Sequence, residues 1–412
     1  MRAWAARSAI AAVVVATAAC SSTSTPAPAP TPPTVPAGLS TVTVEVPDAL
    51  AQAPFDRPRH AQVPAGWTLT VVARVPRARM AAWSPDGRLL VSTPGTGRVL
   101  QVLPSRQVLL DGLDQPHGLT FVGSTLYVAE SDQIDAYDYA DGRATNPRTV
   151  AGGLPDAKSP DLHGAYAHAL KSVVVGRDGA VYFSIGSTGN ISAEDRTATP
   201  PRATIMRVPP GGGPAQPFAT GVRNGTGLAL APDGSLWTAV NNRDNVANPE
   251  GKVDQAYVDN HPPESVAKLT QGRELGWPYC NPDGTAPAGF IRDMQTNADG
   301  TKLDCAALPP VEQTMPAHSA PLGMSFADLP QFGAGALVGV HGSWNRAHPQ
   351  APEVSFFGWR DGTLGPQQTL VGGFQADDGS RWGRPVSAVM GPDGAVYITD
   401  DDAGAVYRLS PS

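Results

Sequence analysis

Ala388-Val389-Met390-Gly391-Pro392-Asp393-Gly394-Ala395-Val396-Tyr397-Ile398 decides the fold. Apolar and β-branched residues on both sides suit pleated, half-buried strands. Asp-Gly between them supplies the positive φ angles of a tight hairpin turn, since Gly has no Cβ to clash. The same phrase occurs as Ala82-Trp83-Ser84-Pro85-Asp86-Gly87-Arg88-Leu89-Leu90-Val91. It returns at 173–183, around Arg177-Asp178-Gly179, and at 228–237, around Pro232-Asp233-Gly234. Two looser copies fill the gaps, Gly118 to Val128 with a shorter turn, and Gly323 to Phe326 with Gly335 to Val340 across a longer loop.

That makes six copies in one frame. A third strand often follows, as in Arg98-Val99-Leu100-Gln101-Val102 or Ala405-Val406-Tyr407-Arg408-Leu409. One small antiparallel sheet cannot bury both faces, but sheets stacked radially do so and leave only short edges. The expected fold is all-β, a six-bladed β-propeller of four-stranded antiparallel sheets with long inter-strand loops. A β-sandwich with similar turns would not need six copies. The propeller is expected over 41–412, with its largest insertion at about 243–322. An early strand, Thr41 to Val46 or Thr68 to Val72, is expected to complete the last blade and close the ring.

The N-terminus carries a different message. Arg2 and Arg7 precede a short apolar run, Ala9 to Ala19, too short to span a bilayer. Thr17-Ala18-Ala19-Cys20 resembles a bacterial lipobox, in which the thiol of Cys20 is acylated, although such boxes usually carry Leu where Thr17 stands. Residues 1–20 are thus expected to be a lipoprotein-type signal, and membrane contact is expected only through that anchor. An ordinary signal peptide with a chance Cys is the alternative. Residues 21–40, rich in Ser, Thr, Pro and Ala, read as an extended spacer. The expected location is the outer face of the cell membrane, periplasmic or cell-surface. Cys280 and Cys305 remain, and in an oxidising compartment they are expected to pair; a redox-active pair is the functional alternative. The net charge of −7 provides nothing to attract a polyanion, so no nucleic-acid partner is expected.

Propeller chemistry sits on loops at one mouth of the channel, so the residues before each inner strand matter most. Gln115 and His117 precede the second copy, His163 and His168 the third, and Arg223 and Asn224 the fourth. His318 precedes the fifth and Arg384 the sixth. A site of His, Arg and Asn suits an anionic ligand held by guanidinium groups beside a neutral His acting as general base. The chain has no convincing Ser-His-Asp pattern, Walker loop or dinucleotide fingerprint.

The order of phrases resembles the soluble quinoprotein sugar dehydrogenases over roughly 60–411. Within them it is closest to the L-sorbosone dehydrogenase-like proteins. The resemblance rests on Gly221-Val222-Arg223-Asn224, Gly272-Arg273-Glu274-Leu275-Gly276-Trp277-Pro278-Tyr279-Cys280, His318-Ser319-Ala320-Pro321-Leu322-Gly323-Met324, His341-Gly342-Ser343-Trp344-Asn345-Arg346 and Trp382-Gly383-Arg384-Pro385-Val386. It implies a mouth that binds pyrroloquinoline quinone (PQQ) and calcium. It implies a sugar, sugar aldehyde or polyol substrate and an external electron acceptor, a quinone or redox protein. By motif, His168 becomes the base, Arg223 polarises the quinone oxygen and Asn224 contacts PQQ. Gln115 or His117 touches substrate or cofactor, and Arg384 binds a cofactor carboxylate with Arg381 as helper. The calcium ligands fall on the backbone carbonyls of Asn242 and Arg243.

The chain departs from the family in three places. Ser187 stands where the glucose enzymes carry the acid that orients the base, with Asp161 or Glu130 as conceivable substitutes. Asn242-Arg243 replaces a Gly-Pro calcium loop. His341 stands near the place of a PQQ-contacting lysine, for which Arg346 is the conceivable stand-in. Two rival readings follow: a non-catalytic cell-surface propeller that binds a glycan or protein, and a calcium-dependent lactonase built on acids such as Glu130 and Asp244. A cationic mouth would favour PQQ, and an acidic one the lactonase.

Overall fold

The computed structural model describes residues 38–162 and 164–412. Cys20, the spacer to residue 37 and His163 lie outside the described residues. Six antiparallel sheets form a ring, a six-bladed β-propeller. Each blade opens on the copy that predicted it. The inner pairs are Ala81–Trp83 with Leu89–Thr93, Leu119–Val122 with Thr125–Ala129, and Val173–Val175 with Val181–Ile185. Gly227–Leu230 with Leu236–Val240, Pro321–Leu329 with Gly333–Val340, and Pro385–Met390 with Val396–Asp400 complete the set. We number the blades 1 to 6 in that order.

The turn differs in detail from the Asp-Gly expectation. Gly87, Gly179, Gly234 and Gly394 have φ between 75 and 86°, but the Asp before each does not take a positive φ. Gly391 N–H donates to Ala395 O at 2.7 Å, so Pro-Asp-Gly forms a three-residue loop. Pro favours the first central position of a type I turn, and Gly follows in the left-handed region. The Asp side chain instead closes the loop from within. Its Oδ1 accepts the N–H two residues on, at 2.8 Å from Ser235 and 3.2 Å from Ala395.

The ring closes through its start. Trp67–Arg74 pairs antiparallel with Ala405–Pro411, with Leu69 opposite Leu409, and becomes the outer strand of blade 6. Of the two expected early strands, Thr68 to Val72 does this. Leu39–Thr43 instead pairs with His60–Pro64 in a separate hairpin.

Blade 3 departs from four strands: Arg273–Glu274 adds a short parallel fifth beside Gln216–Thr220. The stretch 243–322 is not one insertion. It supplies the third and fourth strands of blade 4, Glu264–Leu269 and Gln313–Met315. The true excursions flank the first of these, and the second holds the Cys280–Cys305 disulfide. Arg243 ties that excursion to blade 4 through a buried ion pair with Asp293.

The core lies between blades. Six larger apolar clusters each join two neighbouring blades, for example Trp237 and Val266 of blade 4 with Val338 and Phe357 of blade 5. Each blade face is thus buried by the next blade, not by its own fold. At two points neighbouring inner strands approach too closely for a side chain. A Cβ on Gly118 would lie 2.6 Å from Ser172 Cα, and one on Gly323 would lie 2.7 Å from Val386 O. Among the described residues no helix is long and apolar enough to cross a membrane.

Candidate active site

Two kinds of loop meet at one end of the ring: the segment before each inner strand, and the loop after each second strand. In five blades the first kind bonds to the second kind on the preceding blade. Arg79 Nη1 donates to Asp401 Oδ2 at 2.8 Å, from blade 1 to blade 6. Lys171 donates to Ser131 O, from blade 3 to blade 2. Ser187 N–H donates to Arg223 O at 2.8 Å, between blades 3 and 4. His318 Nδ1 lies 3.4 Å from Asp244 Oδ1, from blade 5 to blade 4. Arg384 Nε donates to His341 O at 2.9 Å, from blade 6 to blade 5. These bonds run around the mouth and fix its polar groups.

His168 sits on the blade 3 side. Its Nδ1 is 3.0 Å from Ser187 O and 2.9 Å from Ser187 Oγ. A carbonyl only accepts, so Nδ1 carries the proton and Nε2 keeps its lone pair. Ser187 Oγ spends its own proton on Gly189 O at 2.7 Å, which leaves it an acceptor for His168. Gly186 allows this approach, because a Cβ there would lie 2.6 Å from His168 Cβ. Burial, then the nearby Arg223 charge, lowers the His168 pKa to about 3, so the ring is neutral at pH 7.

The orienting role expected of an acid therefore falls to Ser187 itself, not to Asp161 or Glu130. Asp161 forms an ion pair with Arg202. Glu130 accepts from Asp114 N–H at 2.5 Å in blade 2, and burial raises its pKa to about 7.

Arg223 is buried, and its guanidinium donates to Asn241 O at 3.1 Å, Asn190 Oδ1 at 3.1 Å and Asp244 Oδ2 at 3.0 Å. Asn224 follows it, with Oδ1 turned toward Gly186. Burial opposes the charged form of Asp244, yet His318 and Arg223 outweigh it and hold its pKa below the usual range. Burial also opposes a charged His318, but the Asp244 contact wins and its pKa is raised. Glu264, fully buried, accepts from Asn242 N–H at 2.6 Å and Ala320 N–H at 3.3 Å, locking both loops.

The opposite side is built from Arg79, His117, His341, Asp401 and Arg384. Asp401 Oδ1 is 2.7 Å from His341 Nε2, and its pKa falls to about 2 because His341 and Arg79 outweigh burial. His117 is fully buried. Its Nδ1 donates to Lys171 O at 3.1 Å, so its Nε2 is the acceptor facing Arg79 Nη2 at 3.4 Å. Arg79 therefore stands in front of His117, and Gln115 is exposed beside them.

Arg381 donates to Ser343 O and to Gln375 Oε1 at 2.9 Å, so it braces the blade 5 loop. Arg346 does the same for the neighbouring loop, donating to Ala317 O at 3.2 Å. The Asn242 side chain donates to Pro263 O at 2.8 Å and Ser265 Oγ at 3.0 Å, and Arg243 points into the excursion. Among the described residues the carbonyls of Asn242 and Arg243 accept no hydrogen bond.

Sequence reasoning missed Arg79, Ser187 as an orienting group, Asn190, Glu264 and Asp401. Three of these, Ser187, Asn190 and Asp401, follow second strands that the repeat itself had marked, as does His341. The arrangement offers a neutral base, a buried guanidinium–amide pair beside it, and Arg384, whose Nη groups meet no protein acceptor among the described residues. Arg79 Nε and Arg223 Nε are buried without a partner. Asp244 and Asp401 are each matched by an arginine and a histidine. The side with Arg79, Arg223 and Arg384 thus suits an anion, whereas on the blade 2 side Asp114, Asp132 and Asp156 bring three carboxylates together.

Comparison with known proteins agrees with this fold. The PQQ-dependent pyranose dehydrogenase of Coprinopsis cinerea is 26% identical across 78% of this chain and 51% of its own. An uncharacterised protein of Borreliella burgdorferi is 28% identical over 53% of this chain and 56% of its own. The chain therefore spans about half the length of the curated relatives it matches.

Among solved structures, the holo form of the Coprinopsis cinerea pyranose dehydrogenase PQQ domain superposes with a TM-score of 0.72 at 21% identity, covering 90% of this chain and all of that one. The iodide structure of the Trichoderma reesei carbohydrate-active enzyme family AA12 gives 0.71 at 20% identity, covering 85% and 97%. The PQQ-bound aldose sugar dehydrogenase of Streptomyces coelicolor gives 0.52 at 14% identity, covering 84% and 100%. The resemblance to quinoprotein sugar dehydrogenases thus holds at the level of fold. The family described as TrAA12-like matches residues 61–412, most of the chain, and to that family the chain belongs.

Proposed function

We propose that this protein is a PQQ-dependent dehydrogenase of a sugar, a sugar aldehyde such as sorbosone, or a polyol. The observation that carries the reading is His168, neutral, with Nδ1–H held by Ser187 and Nε2 free beside Arg223. Bound PQQ would supply the two-electron acceptor that the chain's own side chains lack. Its carboxylates suit the free Nη groups of Arg384 and the guanidinium of Arg79; Arg223 and Asn224 suit its quinone oxygens. His168 Nε2 would take the proton of the substrate hydroxyl, and the hydride on the carbon bearing that hydroxyl would go to the bound quinone. His341, held by Asp401, stands where the family's lysine was expected and takes over a polar contact from that side.

Calcium completes the proposal. The unengaged carbonyls of Asn242 and Arg243, next to the Asp244 carboxylate, are the oxygen donors such a hard cation takes. We place the protein outside the cell on a lipid anchor at Cys20, with an external quinone or redox protein as electron acceptor. Asp244 and Asp401 are each paired with an arginine, which disfavours a lactonase built on Asp244. The test is His168→Ala. Turnover with PQQ and calcium should fall by roughly 10²–10⁴, the usual range for a general base, while PQQ still binds. Retained turnover removes His168 from this role.

A further inference from the structure

Gly272 to Cys280 opens the disulfide-bonded excursion, yet it is zipped onto the segment that carries Arg223. Leu275 N–H donates to Thr220 O at 2.9 Å, and Trp277 N–H to Gly221 O at 3.3 Å. Glu274 accepts from Thr220 Oγ1 at 2.6 Å and from Arg196 Nη1 at 3.0 Å. Gly221, at φ 69°, permits the approach, because a Cβ there would lie 2.5 Å from Gly276 N. Leu275 and Cys280 pack in one buried apolar cluster with Val222. Gly221-Val222-Arg223-Asn224 and the Gly272–Cys280 strap therefore form one unit.

Trp277 links this unit to the loop after the second strand of blade 3. It is buried, and its backbone O accepts from Arg196 Nη1 at 2.8 Å. An indole has a single polar atom, a donor. That Nε1–H donates to Asn190 O at 3.1 Å. A phenyl ring would fill much of the same space without this bond, so packing alone does not account for the contact. The Asn190 amide is committed to the residues beside the base. Its Oδ1 accepts from Arg223 Nη2 at 3.1 Å and from Asp244 N–H at 2.8 Å, and its Nδ2 donates to Asp244 O at 2.8 Å. The carbonyl before it, Gly189 O, accepts from Ser187 Oγ at 2.7 Å, and Ser187 holds His168. One indole N–H thus anchors the short segment that braces both the base and the guanidinium.

We propose that Trp277 is a positioning residue of the quinone site, acting through Asn190 on Arg223 and Asp244. The proposal rests on the quinone reading above and adds to it the residues that hold Arg223 in place.

The test uses the full chain with Trp277→Phe, Asn190→Ala and the double variant. Trp277→Phe keeps a buried ring and removes the N–H. Asn190 is only half-buried, so Asn190→Ala leaves no core cavity. PQQ affinity is read by absorbance titration with calcium, and amide hydrogen exchange is followed without cofactor. Trp277→Phe should weaken PQQ binding about three- to tenfold, the worth of roughly one hydrogen bond, and should speed exchange of the Asp244 N–H. Asn190→Ala should weaken PQQ binding about tenfold or more. The double variant should lose no more than Asn190→Ala alone, because the indole then has no amide to place. Additive losses overturn the proposal. So does Asp244 exchange that is unchanged in Trp277→Phe, or PQQ affinity that is unchanged in either single variant; Trp277 would then only fill the core. If Trp277→Phe does not fold, Asn190→Ala decides by the same PQQ criterion. A parent that binds no PQQ defeats the quinone reading, and Asp244 exchange then decides this proposal alone.

Discussion

The Nδ1 of His168 lies 2.9 Å from Ser187 Oγ and 3.0 Å from Ser187 O, and this pair of contacts sets the state of the ring. The carbonyl cannot be mutated away, so Ser187→Ala keeps the tautomer and loses one acceptor. Turnover should fall by about tenfold or less, the worth of roughly one hydrogen bond. Ser187→Asp adds an anion, which favours the imidazolium and raises the His168 pKa. The acid limb of the kcat/KM–pH profile should then move to higher pH; an unmoved limb would remove His168 as the titrating base.

Arg223 is buried and Asp244 is its charge partner. Asp244→Asn leaves that guanidinium uncompensated. Removing one member of a buried pair costs about 3–5 kcal/mol, and the 19% exposure of Asp244 brings the expectation to about 2–3 kcal/mol. Chemical denaturation measures it. The same change removes the group that raises the His318 pKa, so His318 followed by NMR should titrate lower than in the parent.

His117 and His168 both have pKa values lowered to about 3, chiefly by burial. The unfolded chain takes up protons on these rings near pH 6.5, before the folded protein does. Stability present above about pH 6.5 is therefore lost as the pH falls toward 3, by on the order of 2 kcal/mol at pH 5 for a ring as buried as His117. Between pH 7 and pH 5 the Tm of the parent should fall relative to that of His117→Gln, since the buried acids with raised pKa values, Glu130, Glu264 and Asp400, act alike in both. A constant difference between the two would contradict the assigned protonation.

The Cys280–Cys305 bond closes a segment of sequence separation 25. Replacing both cysteines by serine should cost about 3 kcal/mol by the loop-entropy estimate, with the loss concentrated in the excursion after residue 269. Hydrogen exchange should localise it there. Uniform loss around the ring would mean that the excursion and the blades unfold as one unit.

The ring was legible because its turn chemistry repeats. Asp-Gly marks the inner hairpin of four blades, with Pro before it in three, and the two looser copies keep the frame; six such hairpins cannot bury their faces without one another. The residues before the inner strands were legible for the same reason. What stayed hidden was pairing across blades. Ser187 looked like a lost acid because sequence lists side chains, whereas the contact that holds His168 is partly a backbone carbonyl. Arg79 was overlooked because its partner, Asp401, lies at the other end of the chain, joined only when the ring closes. Blade 4 was misjudged because its third and fourth strands lack the turn phrase and are separated by the disulfide-bonded excursion.

The most direct test of the quinone site is an absorbance titration of the purified full chain with PQQ in the presence of calcium. The arginine-lined mouth predicts saturable binding with one PQQ per chain, weakened by at least tenfold in Arg384→Ala and accompanied by sugar-dependent dye reduction. Absence of saturable binding, or binding indifferent to Arg384, would contradict the quinone site.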